Sequence, residues 1–584
     1  MQSLNPVLLT ASATRKLPRI LLIAMVIAYA FSGLIGRDPW RGDDAQGFGY
    51  AWSLAQGQDF SLGVLQIAGL SVASDGPLWF AVVAFFIKIL FFIPPHIAAF
   101  IPVGMSILVS LAALWYAVYY AARTPAAQPL SLALGGQPKP VDYGCAVADG
   151  AVLLLLATLG VALKLHELSA QAAQFALHAL LLLGACMALY KPKPAAWVLG
   201  LSLVGLGLNR GLPAALPGVI WVLGLSFHAA WQGLASRRWA LLLAAVGGVT
   251  ANLVLAYCLS EASYAQALWH WNVASFGFAG WAKWAYFFSN FLTIGWPATP
   301  FALAAAWRWR QHWRAPHIWV GVSYFWIMLA GVLSQSTISE ASFLSIIPPI
   351  VLLAAFLLPA LPRVWMNALD WFGVMALSFA AFLAWLGWFA IYFGWPAKLS
   401  KSILLATPTF QASVNYFAVA IALLCSIFWF SVVRWRVTRP STVVWRAAVV
   451  WSAGMLTVWV LIGSLWMPWL NHGKSYRAVA TELKFALKDH TQCVSPLRLG
   501  LAQRAVLAYF GEIRFEAQGS DAGMNTERDT PATVACNWLL EYDSLQNLSS
   551  LERLPYLPAG QWALTWEGRR STDKDERFRL YQRK

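Results

Sequence analysis

The residues best suited to chemistry fall in three short clusters. The first runs Arg37-Asp38-Pro39-Trp40-Arg41-Gly42-Asp43-Asp44 and continues through Phe48 and Tyr50. Two adjacent carboxylates among arginines and aromatic rings can be tuned as a general base, because low dielectric and nearby cations act on a carboxyl in opposite directions. A solvated polar loop is the plainer reading. The same stretch ends at Ser74-Asp75-Gly76-Pro77. The second cluster is Lys164-Leu165-His166-Glu167. Its His and Glu can bind a divalent metal ion or hydrogen-bond a substrate, although a helix end meeting water carries the same residue types. The third is Asn209-Arg210-Gly211, a guanidinium in an almost uncharged stretch. An uncompensated buried charge is costly, so Arg210 needs an anion. Phosphate suits its fork of donors; a structural ion pair is the alternative. A weaker signal is the stretch from Glu261 to Lys283, with Trp269, His270, Trp271, Trp281 and, just beyond, Trp284. These rings suit sugars or isoprenoid chains, and equally an interfacial belt.

Several motifs are missing. There is no GxxxxGK[ST], and Gly473-Lys474-Ser475 lacks the upstream glycine of a phosphate loop. No GxGxxG follows a strand, and no CxxC or Cys/His metal spacing occurs. Cys145, Cys186, Cys258 and Cys425 lie in or beside apolar runs and read as packing residues. Cys493 and Cys536 are the only two in the polar tail. An oxidising compartment permits a disulfide between them. It would close a loop of roughly 40 residues, worth about 3–4 kcal/mol by chain entropy; two buried thiols are the alternative.

The elements that must position these groups are membrane helices. Of 584 residues, 59% are hydrophobic and 11% charged, against about 25% charged in soluble domains. About fourteen apolar segments lie between positions 18 and 467, by the length that crosses a bilayer. Arg15, Lys16 and Arg19 precede the first, which has no cleavage pattern and reads as a retained helix with a cytoplasmic N-terminus. The net charge of +16 reflects basic loops on the cytoplasmic side and not a nucleic-acid partner; a smaller part suits an anionic lipid substrate. Lys191, Lys193, Arg237, Arg238, Arg308 to Arg314 and Arg434 to Arg439 mark that side. Alternation then puts His166-Glu167, Glu261 to Lys283, Ser334 to Glu340, Pro396 to Gln411 and the tail outside. For the count to close, segments 77–93 and 97–121 must make one crossing, leaving about thirteen. The prolines at 94 and 95 supply the break. Tyr50 to Gln58 reads as an interfacial helix within the external loop 37–76.

Two domains are expected: 1–470 in the membrane and 471–584 as a small α/β domain in the periplasm. The tail has a helical pattern from Lys474 to Leu487. Strand-like runs follow at Cys493–Pro496, Ile513–Glu516, Ala535–Leu540, Trp562–Trp566 and Phe578–Tyr581.

These local motifs resemble those of the GT-C class of polyprenyl-phosphate-dependent glycosyltransferases, in the branch of bacterial aminoarabinose transferases and protein O-mannosyltransferases. Asp43-Asp44 is similar to the family's Asp-Glu pair, and Asp75-Gly76-Pro77-Leu78 stands at its loop-ending Pro-Pro-Leu. Gly207-Leu208-Asn209-Arg210-Gly211 is similar to its Gly-Leu-x-Lys-Gly run, and Ile346-Ile347-Pro348-Pro349 to its Leu-Leu-Pro-Pro segment. The chain departs from the pattern at Asp44, at Asp75 near the place of a lysine, and at Ser339-Glu340-Ala341 in place of basic and aromatic residues. The resemblance implies an all-α polytopic membrane protein of the bacterial inner membrane. It would move a sugar from undecaprenyl (polyprenyl) phosphate to a lipid A-like lipid or a protein acceptor on the periplasmic side. Asp43 would be the base. Arg210 with Lys164 would stabilise the leaving phosphate. Asp44, the second acid of the catalytic pair, would with His166, Glu167 and Asp75 position the sugar or hold a divalent cation. The competing reading is a polytopic lipid or sugar transporter or flippase, which would place ionisable groups near the midplane of broken helices. A third is a non-catalytic subunit of an envelope-assembly complex.

Overall fold

The computed structural model describes residues 7–57, 64–133, 135–259, 262–407, 409–438, 443–487, 493–516, 536–544 and 562–584. Gln58, Glu261, Arg439 and Ala535, named above, lie outside them. Among the described residues, nine helices are long and apolar enough to cross a membrane. This is fewer than the thirteen crossings expected, because other apolar segments fold as shorter or broken helices. Arg19–Phe31 has 13 residues and Leu212–Leu225 has 14. The run 285–306 divides at Gly295-Trp296-Pro297 into Trp281–Ile294 and Ala298–Arg308.

The segments around the two prolines behave as their sequence requires. Leu78–Ile89 is only 12 residues, or about 18 Å of helix against about 30 Å of hydrocarbon. Pro94 stands at the N-cap of the next element, where a missing N–H costs nothing. From Pro95 the chain runs helically to Ala122 with high hydropathy. The second segment is thus the long one.

The loop after the first helix is built from Asp43–Gln56 and a short antiparallel hairpin, Gln66–Ile67 with Leu70–Ser71. Asp43 and Asp44 occupy the first turn of that helix, where carboxylates meet the positive end of the helix dipole. Ala45, Gly47, Phe48, Tyr50, Ala51 and Leu54 bury its other faces. Gly47 is required by packing: a Cβ there would overlap the carbonyl of Leu168.

The tail forms a five-stranded mixed sheet in the order Arg514–Phe515, Cys493–Leu497, Trp538–Ser544, Glu576–Arg583, Trp562–Gly568. The first three are parallel and the last three antiparallel neighbours. Helices Arg477–Leu487 and Leu501–Phe510 cover it. All five predicted strands are present, within a few residues. The expected boundary at 470/471 falls inside helix Met467–Lys474, which follows Arg446–Leu465 with one residue between. Phe48 and Trp52 of the loop helix meet Tyr509 edge to face, at 4.8 and 5.2 Å between ring centres. Ala45 belongs to the tail's own apolar core. The tail and the loop therefore share one interior.

Cys493 and Cys536 are joined as a disulfide, with Cα atoms 5.4 Å apart and a sequence separation of 43. Reduction should add two hydrogens to the mass of a tail fragment carrying both cysteines. A Cys493→Ala variant should lose about 2–5 kcal/mol of stability, read from denaturant unfolding of the purified protein.

Candidate active site

Each functional side chain is held at the end of a helix or at a forced turn. Arg210 is the last residue of helix Pro192–Arg210, and Leu212–Leu225 begins after a single glycine. Gly211 takes φ +62°, and a Cβ there would overlap the Asn272 side chain. Asn272 Oδ1 accepts from the backbone N–H of Leu212 at 2.8 Å, which satisfies one of the second helix's free donors. Asp75 sits at φ +47°, a conformation side chains avoid and one that marks a functional or over-determined turn. From there it accepts a hydrogen bond from Arg210 Nε at 2.7 Å. The backbone N–H of Gly76 donates to the Asn209 carbonyl at 2.7 Å. Loop end and helix end are thus stitched together, and the structural ion pair anticipated for Arg210 exists. It uses only the Nε edge. No hydrogen bond joins the two terminal nitrogens of Arg210 to the described residues. Arg210 borders a narrow crevice walled by Gln171, Gln174, Gln335 and Ser342.

The two adjacent aspartates part company. Asp44 is 2% exposed and forms an ion pair with Arg37 Nη2. Its other oxygen accepts from the backbone N–H of Leu168 at 2.7 Å. Arg37 also donates to the His166 carbonyl at 3.3 Å and lies 3.8 Å over the Trp40 ring. Asp44 therefore holds the loop onto the 166–168 turn. Asp43 points the other way. It is exposed and forms no hydrogen bond or ion pair with the described residues. Protein nevertheless surrounds most of its carboxyl. That desolvation raises its pKa above the usual aspartate value, opposed by Lys164 and then reinforced by Asp44 and Asp75, with Arg210 opposing. The same four groups show that the first and third sequence clusters, together with Lys164, converge on Asp43.

Lys164 bridges two acids, Glu167 at 3.0 Å and Glu340 at 3.3 Å, and Glu340 also accepts from the Tyr286 hydroxyl at 2.9 Å. One oxygen of Glu167 is buried without a partner. Burial, then the nearby Asp44 charge, pushes the Glu167 pKa up to about 7. His166 departs from its expected role. It is fully buried, with Nδ1 2.7 Å from the Ala162 carbonyl and Nε2 2.8 Å from that of Tyr29. Both nitrogens face backbone oxygens inside the protein, so the ring braces the turn and turns neither nitrogen toward the site. Asp44 is equally occupied. The set His166, Glu167 and Asp44 thus does not fit a cation, and among the described residues no group of three His, Cys, Asp or Glu is placed to hold one.

Some participants were not assigned a role from sequence. Arg37 was seen only as a flank of the acidic pair. Lys474 was read as part of an incomplete phosphate loop and as the start of a helical pattern. Its ammonium stands 4.4 Å over the Trp40 ring, and burial followed by the Arg37 charge holds its pKa below the usual lysine value. Asn471 accepts from the Asp38 N–H at 3.1 Å and from Trp40 Nε1 at 2.9 Å. Glu340 was noted only as a departure from a motif. Its place beside the outer end of an apolar segment, level with Lys164, was the available signal. Of the aromatic stretch, Trp281, Trp284 and Phe278 form one edge-to-face cluster with ring centres 5.1–5.6 Å apart. Trp269 and His270 lie exposed on another helix.

No protein-family model matches the chain, and no curated protein sequence does. Two solved structures do. One is ArnT from Cupriavidus metallidurans bound to undecaprenyl phosphate, with a TM-score of 0.65 and 16% identity over 96% of this chain and 97% of that one. The other is the same protein in the apo state, with a TM-score of 0.63 and 15% identity over the same shares. The chain has the fold of these structures along nearly its whole length.

Removing Asp44 leaves a buried guanidinium unpaired, so Asp44→Ala should cost about 3–5 kcal/mol. Asp43→Asn should stay within about 0.5 kcal/mol of the parent. Thermal unfolding in detergent separates the two. Glu167 has a folded pKa above its unfolded value of 4.5, so it binds more protons folded than unfolded between them. Its contribution to stability is present below pH 4.5 and is lost as pH rises through about 7. The melting temperature should therefore decline over that window, and Glu167→Gln should flatten the decline.

Proposed function

We propose that this chain is a glycosyltransferase that moves a sugar from a polyprenyl phosphate, such as undecaprenyl phosphate, to a lipid or protein acceptor on the periplasmic side of the bacterial inner membrane. The observation that carries this is Asp43. It is the one acid of the cluster with no partner among the described residues, and Lys164 and Arg210 act on it electrostatically. A carboxyl with a raised pKa that is open to a site suits a general base. The fold shared with ArnT, a protein solved with undecaprenyl phosphate bound, supports the donor class.

In this reading the acceptor hydroxyl attacks the anomeric carbon while Asp43 takes its proton. The bond from that carbon to the phosphate oxygen breaks, and polyprenyl phosphate leaves with the electron pair. The free terminal nitrogens of Arg210 stabilise the developing charge on the phosphate. Asp75 holds Arg210 through Nε and so orients its fork. Lys164, shared by two acids, fixes Glu167 and Glu340 beside the site. The transporter reading has less support. The groups that surround Asp43 sit at helix ends and turns, not at the middle of broken helices.

Asp43→Asn should lower transfer by about 10²–10⁴-fold, the usual contribution of a positioned base, while the protein stays folded. Arg210→Gln should lower turnover by about 10²–10³-fold. Mass spectra of lipid A and envelope glycans from cells with and without the gene supply the readout. Unchanged products in cells carrying Asp43→Asn would remove Asp43 from the mechanism.

A further inference from the structure

A second polar cavity lies far from Asp43. Helix Arg446–Leu465 begins at it, while the helix that follows carries Lys474 to the Trp40 ring beside the site. Twenty residues of helix set the two ends about 30 Å apart. The cavity has a volume of about 850 Å³. Arg363, Asn367, Arg436 and Arg446 line it, together with the Thr10 and Ser12 hydroxyls.

Among the described residues its lining holds three arginines and no acid. Behind the wall, buried Asp370 pairs with Arg436 Nε at 2.6 Å and with Arg446 Nε at 3.0 Å. Asn367 Oδ1 accepts from Arg446 Nη2 at 2.7 Å and from Arg436 Nη2 at 3.2 Å. One carboxylate therefore serves two guanidiniums. Arg363, exposed at the rim, has no ion pair among the described residues. No hydrogen bond joins the amide nitrogen of Asn367 to the described residues. Helices Arg363–Phe393 and Arg446–Leu465 both start here, and the positive ends of their dipoles add to the potential. Planar guanidiniums beside helix N-termini match the oxygens of a phosphate group.

The surroundings say where such a group comes from. Past Arg363, the same helix exposes Val364, Trp365, Trp371, Phe372 and Met375. Only 33% of its most apolar window is buried within the protein, so this face suits acyl chains. Trp371 also lines the cavity. We propose that this cavity binds the phosphate group of an anionic phospholipid at the membrane face opposite the Asp43 site, with acyl chains along the exposed face of helix Arg363–Phe393. This does not rest on the transfer activity proposed above.

The test uses the full chain purified in detergent and delipidated, with native mass spectrometry and thermal unfolding. Probes are phosphatidylglycerol, phosphatidylcholine and sodium phosphate. Phosphatidylglycerol should be retained and should raise the melting temperature more than phosphatidylcholine. Arg363→Gln and, separately, Asn367→Ala should each weaken that retention roughly fivefold, and Arg363→Lys should recover part of it. Both positions are exposed, so these variants should fold. Equal binding of the two lipids, or retention of phosphatidylglycerol unchanged by both Arg363→Gln and Asn367→Ala, would overturn the proposal. So would stabilisation by sodium phosphate that phosphatidylglycerol does not exceed, since the site would then hold a free anion and not a lipid headgroup.

Discussion

The ion pair between Arg37 and Asp44 is the contact on which the site depends. Both side chains are nearly excluded from solvent. Taking two charges out of water is worthwhile only when their remaining hydrogen-bonding groups are also met. Here the carboxylate also accepts from Leu168, and the guanidinium donates to the His166 carbonyl and stacks on Trp40. The pair locks the start of the loop helix against the 166–168 turn, which His166 braces from inside by facing two carbonyls. With Asp44 fixed inward, its neighbour Asp43 is left exposed. The exposed carboxyl that the proposed chemistry needs is a consequence of the buried one.

The tail completes this arrangement. Asn471 joins the Asp38 N–H, the Trp40 indole and, through its own amide nitrogen, the Gly36 carbonyl at 2.8 Å. Arg41 donates to Asp573 at 3.2 Å, and Arg477 to Asp38 at 3.3 Å. Arg570 ties Glu576, Asp573 and the Gly473 carbonyl together. These contacts hold the loop between the membrane helices and the sheet. They also carry Lys474 into the neighbourhood of Asp44 and Glu167, a position that proximity in sequence does not suggest.

The two ends of the molecule use shared charges in opposite senses. Beside Asp43, one ammonium, Lys164, serves Glu167 and Glu340. At the far end, one carboxylate, Asp370, serves Arg436 and Arg446. The first arrangement leaves excess negative charge and a carboxyl, Glu167, that titrates near neutrality. The second leaves excess positive charge facing a cavity.

Much of the architecture was legible in the sequence, because it depends on local patterns. Apolar runs set the helices, the prolines at 94 and 95 separated a short helix from a long one, and alternating residues marked all five tail strands. The motif likeness to GT-C proteins agreed with the fold found. Residue types also located the clusters around Asp43, Lys164 and Arg210. Tertiary structure decided what each member does. Adjacent residues on a helix point about 100° apart, so only packing could separate buried Asp44 from open Asp43. The union of Asp75 with Arg210 spans 135 residues, and the turn of His166 toward Tyr29 spans 137. Hydropathy and spacing along the chain carry no record of such distant partners. They arise only when helix ends and loop meet in three dimensions, where each charge must find an opposite charge or remain in reach of water.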